Sequence, residues 1–467
     1  MRGGRIETDA SAIREPRARQ ASTVSRETAP VVAFLIGGHV LDDWLDELGL
    51  TFESFCAEMM GSWIFAYVQA LEQQGVTSVL LCVSQRIRDP RRYTHAPTGT
   101  SVLALPAPRL YRMIDAAERG MRRRLTNRLG SGAAQPSFGM LPRMGRLACR
   151  ALRLAADYMS TPLWRLTRAM SELHCTRLVI QEYEWPGFDI CALWGRWCAW
   201  EVFGTFTGGY PQTWWRRALR RLALRQSAGL IICASTELER VAQTYGLSRS
   251  KLKLIRFPLA LDVWNPEDRD TARQALNLPR DACVAMYHGS ISYDHKGIDI
   301  LLEAWEQVKQ ARPGSDLRLV LLGRGSDSQV LSEYLQGRPS SGVVWSNEWV
   351  HERTRIRRHL SAADVYVFPS RHDASPNALA EAMACGLPVV VTRFRGVDDV
   401  LPDGEASGGL IVPTGDATSL AIAIGRLVDD PTLRAHLAAC SLRQAERSFP
   451  KDVIGRALCA ALRIEGR

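Results

Sequence analysis

Short apolar runs recur along this chain, each ending in a polar or glycine-bearing loop and followed by apolar residues at helical spacing. Val31 to Ile36, Ser78 to Val83, Val102 to Leu105, Thr176 to Ile180, Glu201 to Phe206 and Leu230 to Cys233 read as strands of a first half. Cys283 to Tyr287, Leu317 to Leu322, Val343 to Trp345, Val365 to Phe368, Val389 to Val391 and Leu410 to Val412 read as strands of a second. Short, continuously apolar runs of this kind fit parallel strands buried on both faces. Helices fall between them: SWIFAYVQALEQQG after Gly61, a capped helix from Ser235, and one after Lys296-Gly297 with Ile298, Leu301, Leu302 and Trp305 on its buried side. Residues 84–100 read as a polar connection, and Leu41 to Phe55 as an acidic segment. Strand and helix alternate in both halves, which predicts an α/β protein of two Rossmann-like domains.

The clearest unit is SAADVYVFPSRHDASPNALAEAMACGLPVVV, from Ser361 to Val391. Its first strand opens into a polar loop, Pro369 to Ser375. Ser375 is placed to cap a helix whose first residue is Pro376. The helix runs to about Cys385 and stops at Gly386, with Pro388 beyond. The C-terminal edge of such a unit presents free N–H groups of the next helix, which suits an anion such as a pyrophosphate. Two acids lie there. Asp373 is on the loop, and Glu381, eight residues later, shares a helix face with Asn377 and Ala378. A carboxylate accepts two hydrogen bonds at once, which matches a sugar diol.

The string PSRHDASPNALAEAMACGLPVVVT resembles the donor-site signature of the family-4, GT-B glycosyltransferases: two acids eight apart, then EAMA-x-G-x-P-V-V. Asp373 stands where the family usually has Glu. The resemblance implies a GT-B fold with a cleft between the domains and retaining, metal-independent transfer from a UDP- or GDP-sugar co-substrate, with no further cofactor. By it, Asp373, Lys296 and Glu381 carry the chemistry. Gly289, Lys296, Gly323, Arg324, Ala374, Ser375, Asn377, Ala378 and Glu381 hold the donor: Glu381 the ribose, Asp373 and the amides of Ala374, Ser375 and Asn377 the transferred sugar, Lys296 the leaving diphosphate. Ser290 replaces a basic residue usual in the family, and Arg324 is a candidate for the missing charge. Only five residues of 59 Lys+Arg are Lys, so a Lys at the motif position is informative. Gly396, Asp398 and Asp399 resemble the family's GG-x-x-E turn.

In the first half the resemblance is looser. Gly37 and Gly38 follow the first strand and allow close approach to a ligand; Gly61-Ser62 is the alternative loop. Glu182 and Glu184 alternate at a strand end, either facing the acceptor or as rim charges. Thr207, followed by Gly208, stands where many members carry a His. Phe257-Pro258 replaces an Asn-Gly turn. These departures keep two alternatives open: a GT-B binding module with a degenerate site, and an epimerase or phosphorylase on the same fold. The predicted division is a disordered tail over 1–29, an acceptor domain over 30–257, a donor domain over 258–440, and a helix over 441–467 packing back on the first domain.

Composition adds three constraints. With 46% hydrophobic and 23% charged residues over 467 positions the chain is globular, and no apolar run reaches the ~18–20 residues of a membrane span. Met1 to Ala29 lacks an apolar leader core, and the 11 Cys are scattered singly, so a cytoplasmic protein with reduced thiols and no zinc site is expected. Residues 1–255 carry 34 Lys+Arg against 22 Asp+Glu, a balance of +12, whereas residues 256–467 carry 25 against 27, a balance of −2. The excess lies around Arg122, Arg123, Arg124, Arg128, Arg143, Arg146, Arg150 and Arg153, and at Trp214-Trp215-Arg216-Arg217. An anionic membrane surface on the inner face is one partner for these stretches, and a solvated basic face is the alternative. Nucleic acid is not expected, because no motif for it is present. The expected partners are a nucleotide sugar and a glycan or lipid-linked acceptor.

Overall fold

The structure is a computed structural model, and it describes residues 30–37, 41–43, 45–46, 49–58, 62–127, 143–206, 217–373 and 376–464. The first sheet contains β1 (Val31–Ile36), β2 (Thr77–Ser84), β3 (Arg91–Thr94), β4 (Ser101–Pro106), β5 (Arg177–Ile180), β6 (Glu201–Phe206), β7 (Gly229–Ile232) and β8 (Leu252–Leu254). Their order is β3-β4-β2-β1-β5-β6-β7-β8. The second contains β9 (Cys283–His288), β10 (Leu317–Leu322), β11 (Val343–Ser346), β12 (Val365–Phe368), β13 (Val389–Thr392) and β14 (Gly409–Val412) in the order β11-β10-β9-β12-β13-β14. Every pairing is parallel except β3 with β4, where Arg92 opposes Leu103. The polar connection expected over 84–100 thus contains an edge strand. RRYT carries no apolar alternation because it is bonded on one side only and largely exposed; Tyr93 alone turns inward, onto Phe52 at 4.9 Å.

The helices used below are α1 (Ser62–Glu72), α2 (Arg109–Asn127), α3 (Arg143–Met159), α4 (Leu163–Glu172), α5 (Pro186–Trp197), α6 (Arg217–Gln226), α7 (Ser235–Tyr245), α8 (Ile298–Gln310), α9 (Arg353–Ala362), α10 (Asn377–Ala384), α11 (Ala417–Asp429), α12 (Pro431–Ser448) and α13 (Lys451–Ala461). No helix among the described residues is long and apolar enough to cross a membrane. Residues 1–29, Arg128, Trp214, Trp215 and Arg216 lie outside the described residues.

Each sheet reverses its winding direction once. In the first, β1 pairs with both β2 and β5 (Leu35 with Leu81 and with Ile180), so the chain diverges between β1 and β5. In the second, β9 pairs with β10 and β12, and the divergence falls between β9 and β12. Ligands of open α/β sheets bind at such points, beyond the carboxyl ends of the strands. The two carboxyl edges face each other. At one end of the cleft Asp399 accepts hydrogen bonds from the Ser235 backbone N–H (2.8 Å) and hydroxyl (3.0 Å), and Arg395 pairs with Glu237 at 3.0 Å. Ser235, expected to cap its own helix, therefore does not: the position before α7 is Ala234, without a side-chain cap, and the serine hydroxyl is bonded across the cleft.

One apolar core surrounds the first sheet and continues into α13 through Ile454, Leu458 and Ala461, and into Leu462 just beyond it. α12 instead stays with the second sheet, through Ala445. The chain crosses between the halves twice, side by side, where the Leu259 N–H donates to the Phe449 carbonyl at 2.8 Å.

Candidate functional site

The second domain's edge is built by two close approaches that need glycine. Gly323, at the end of β10, has φ +145°, and a Cβ there would lie 1.9 Å from the Gly289 carbonyl oxygen. The Gly323-Arg324-Gly325 turn therefore lies directly against Gly289 and Ser290, and the Ile291 N–H donates to the Arg324 carbonyl at 3.3 Å. Gly297 has φ +66°, and a Cβ there would lie 2.2 Å from the Pro369 carbonyl oxygen. This contact brings Lys296 to the loop after β12. The Lys296 ammonium donates to Asp373 Oδ2 at 2.7 Å and lies 5.7 Å from the centre of the Phe368 ring. The same loop is tied down by Arg371, which donates to both carboxylate oxygens of Asp299 at 2.7 Å, and by its backbone N–H to the His295 carbonyl at 2.9 Å. Arg371 is thus a clamp, and Lys296 is a cation that faces the loop's acid.

Glu381 lies one turn into α10, on the same face as Asn377 and Ala378. The position before this helix is Pro376, with no side-chain cap; Ser375, expected to supply one, and Ala374 lie outside the described residues. Glu381 is buried, and its Oε2 is 2.9 Å from His288 Nε2, at the end of β9. His288 Nδ1 is buried with no hydrogen bond among the described residues. A proton on Nε2 therefore serves both nitrogens: it bonds the carboxylate and leaves a bare lone pair, rather than an unpaired N–H, on the buried side. Sequence reading missed His288, which is 93 positions from its partner. It also missed Arg353, which opens α9: burial lowers its pKa, and the nearby Glu381 carboxylate opposes that shift. His288→Ala is expected to weaken binding of a ligand held by Glu381 by about 1.5–3 kcal/mol, the range for a hydrogen bond to a charged group. Calorimetry checks this; unchanged affinity would mean that α10 alone orients the carboxylate.

The first domain's edge departs further from expectation. A Cβ on Gly37 would lie 2.8 Å from the Trp185 ring, so this glycine is required by packing. Glu182 has φ +66°, which ends the extended backbone on which the alternation of Glu182 and Glu184 was read. Glu184 consequently turns inward. It is 2% exposed and is held by Arg240 at 2.7 Å and Arg220 at 3.4 Å, so it is a structural acid rather than one that faces an acceptor. Glu182 stays at the edge, half-buried. Burial pushes the Cys233 thiol up, and the negative charge of Glu182, Asp373 and Asp399 adds to the effect. Carboxylates of both domains therefore approach the end of β7. Gly38, Thr207 and Gly208 lie outside the described residues. Arg324 is exposed beside Gly289, while Ser290 packs against Gly325. No group of three or more His, Cys, Asp or Glu among the described residues is arranged to hold a metal ion.

One ammonium, the start of a helix and a buried carboxylate with its own hydrogen-bond donor thus converge at one winding reversal, opposite a second sheet edge. That set can hold a diphosphate by charge and a diol by paired hydrogen bonds. Two Rossmann-like sheets facing each other this way define the GT-B class of fold. Residues 282–430 match the family model described as Glycosyl transferases group 1.

The D-inositol 3-phosphate glycosyltransferase of Nocardioides sp. is 32% identical over 229 residues, 46% of this chain and 49% of that protein. The lipopolysaccharide core biosynthesis glycosyltransferase LpsE of Rhizobium meliloti is 37% identical over 182 residues, 39% of this chain and 50% of that protein. The chain spans about half the length of the curated relatives it matches. Among solved structures, sucrose-phosphate synthase from Thermosynechococcus elongatus superposes with a TM-score of 0.62 at 17% identity, covering 93% of this chain and 98% of that one. HepE of Anabaena, solved in complex with UDP, also gives 0.62, at 14% identity, covering 93% and 100%.

Proposed function

We propose that the protein transfers a sugar from a nucleotide-sugar donor, held at the second domain's edge, to a glycan or lipid-linked acceptor held by the first. The observation that carries this reading is the pairing of both signature acids with bases from the β9 loop region: Asp373 with Lys296 at 2.7 Å and Glu381 with His288 at 2.9 Å. In this mechanism Glu381 accepts hydrogen bonds from the ribose diol, and Asp373 with the amides of Ala374, Ser375 and Asn377 orients the transferred sugar. Lys296 neutralises the charge that develops on the departing diphosphate. The bond from the anomeric carbon to the diphosphate oxygen breaks. The acceptor oxygen bonds the same carbon on the same face, and its proton passes to the departing oxygen, so configuration is retained and no metal takes part. The UDP and UDP-glucose complexes of HepE favour a uridine donor. A glycosyltransferase of lipopolysaccharide core biosynthesis among the relatives favours a lipid-linked acceptor.

The test is calorimetric titration with a panel of UDP- and GDP-sugars. One donor is expected to bind selectively, and Glu381→Ala is expected to lose about 1.5–3 kcal/mol of that affinity. Undiminished affinity would remove Glu381 from the donor site. Ser290, in place of a basic residue, favours one rival, a binding module; donor binding without any glycoside product would support it.

A further inference from the structure

Four arginines come together at the outer end of the first sheet's carboxyl edge, away from the contact between the halves. Arg109 and Arg112 lie in the first turn of α2, directly after β4. Arg88 lies in the loop after β2, and Arg165 in the first turn of α4. The Arg112 guanidinium donates to the Ile87 carbonyl at 3.4 Å, which joins α2 to the loop that carries Arg88. Burial lowers the Arg112 pKa, and the positive charges of Arg88, Arg109 and Arg165 lower it further. Among the described residues none of the four is paired with a carboxylate, although other arginines of the first half are. Arg153, from the basic stretch singled out in the sequence, lies within 3.5 Å of carboxylates of Asp43, Asp115 and Asp157. Arg220, from the other basic helix, is buried against Asp189.

Large apolar side chains stand out among these charges. Met113 is 68% exposed and Trp164 is 78% exposed. Trp164 is held edge-on against Trp194, with ring centres 5.5 Å apart, so its far face is presented outward.

We propose that this surface docks on an anionic lipid bilayer. Arginine heads meet the headgroups while Met113 and Trp164 enter the headgroup and acyl boundary, where an amphipathic ring and a flexible thioether lose least. The arrangement favours a bilayer over a nucleic acid: the charges sit on the starts of two helices and the loop beside them, interleaved with exposed apolar side chains and with no row of stacking rings among the described residues. The surface shares the cleft's edge but lies at the end far from Asp399 and Arg395. Docking there holds the acceptor side at the membrane and leaves the second domain free. This inference needs no transferase activity, so it stands or falls apart from the proposed reaction.

The test is co-sedimentation of the full chain with vesicles of phosphatidylcholine, with and without phosphatidylglycerol. Wild-type protein is expected to pellet only with the anionic vesicles and to be released by salt. An arginine near an anionic surface is worth about fivefold in partition, so Arg88→Gln with Arg165→Gln is expected to lower binding roughly 25-fold. Trp164→Ala is expected to lower it several-fold with the salt dependence unchanged. Both variants are expected to unfold at the wild-type denaturant midpoint, which shows that they are folded. Equal sedimentation with neutral vesicles, or no sedimentation of wild type with anionic ones, would overturn the proposal without recourse to any variant. Displacement of the protein from vesicles by inorganic polyphosphate, with Trp164→Ala binding as wild type, would overturn it in favour of a soluble polyanion.

Discussion

Lys296→Ala is expected to slow glycosyl transfer roughly 100- to 1000-fold, the effect of removing one preorganised group from a developing oxyanion. The magnitude follows from where the ammonium is held. Gly297 has no Cβ and lets the backbone come against the Pro369 carbonyl, so Lys296 reaches Asp373 at 2.7 Å over the Phe368 ring. Its side chain is 28% exposed, less than a free surface lysine, and water screens it correspondingly less. Loss of the ammonium also leaves Asp373, 14% exposed, without that partner beside an anionic leaving group. Lys296→Arg is expected to recover little, because a planar fork does not substitute for a compact charge in a gap set by backbone contact. Single-turnover rates with saturating donor check this. A change in KM with kcat preserved would show that Lys296 contributes uniform binding only.

Arg220→Met is expected to destabilise the fold by about 3–5 kcal/mol, the cost of removing one partner of a buried charge pair. Arg220 is 2% exposed; its Nε lies 2.5 Å from Asp189 and its Nη1 3.4 Å from Glu184, whose side chains are 0% and 2% exposed. It also donates to the carbonyls of Tyr183, Glu184 and Trp185. Burial works against its charge, but Asp189 and then Glu184 more than offset this, and its pKa is raised. Without it two carboxylates and three carbonyls lose their buried donor. The damage extends to Trp185, whose carbonyl Arg220 holds and whose ring packs on Gly37 at the first domain's edge. Denaturant unfolding measures the loss, and Arg220→Met with Asp189→Leu is expected to restore part of it, since the pair is removed together. A loss below about 1 kcal/mol would mean that water reaches the pair on relaxation.

Features that arise within a few residues of one another were legible in the chain alone. The strand runs, the two-domain α/β pattern and the helix face shared by Asn377, Ala378 and Glu381 all follow from local periodicity. The Lys296-Gly297 pair was legible for a related reason, because a chain with so few lysines places one just ahead of a helix beside a glycine. Whatever depends on a distant partner or on a break in the period waited for the folded arrangement. His288 acquires its place only when β9 and β12 become neighbours. Ser235 gives up its own helix for Asp399, 164 positions away. The edge strand β3 has no apolar signature because only one side of it is bonded. Glu184 turns from the cleft to the interior because Glu182 leaves the extended region, and after one such residue the two-residue alternation no longer tells which side faces the core. Local chemistry writes elements and loop chemistry into a sequence, whereas the burial of a charge and the partner that neutralises it exist only once the sheets have closed around them.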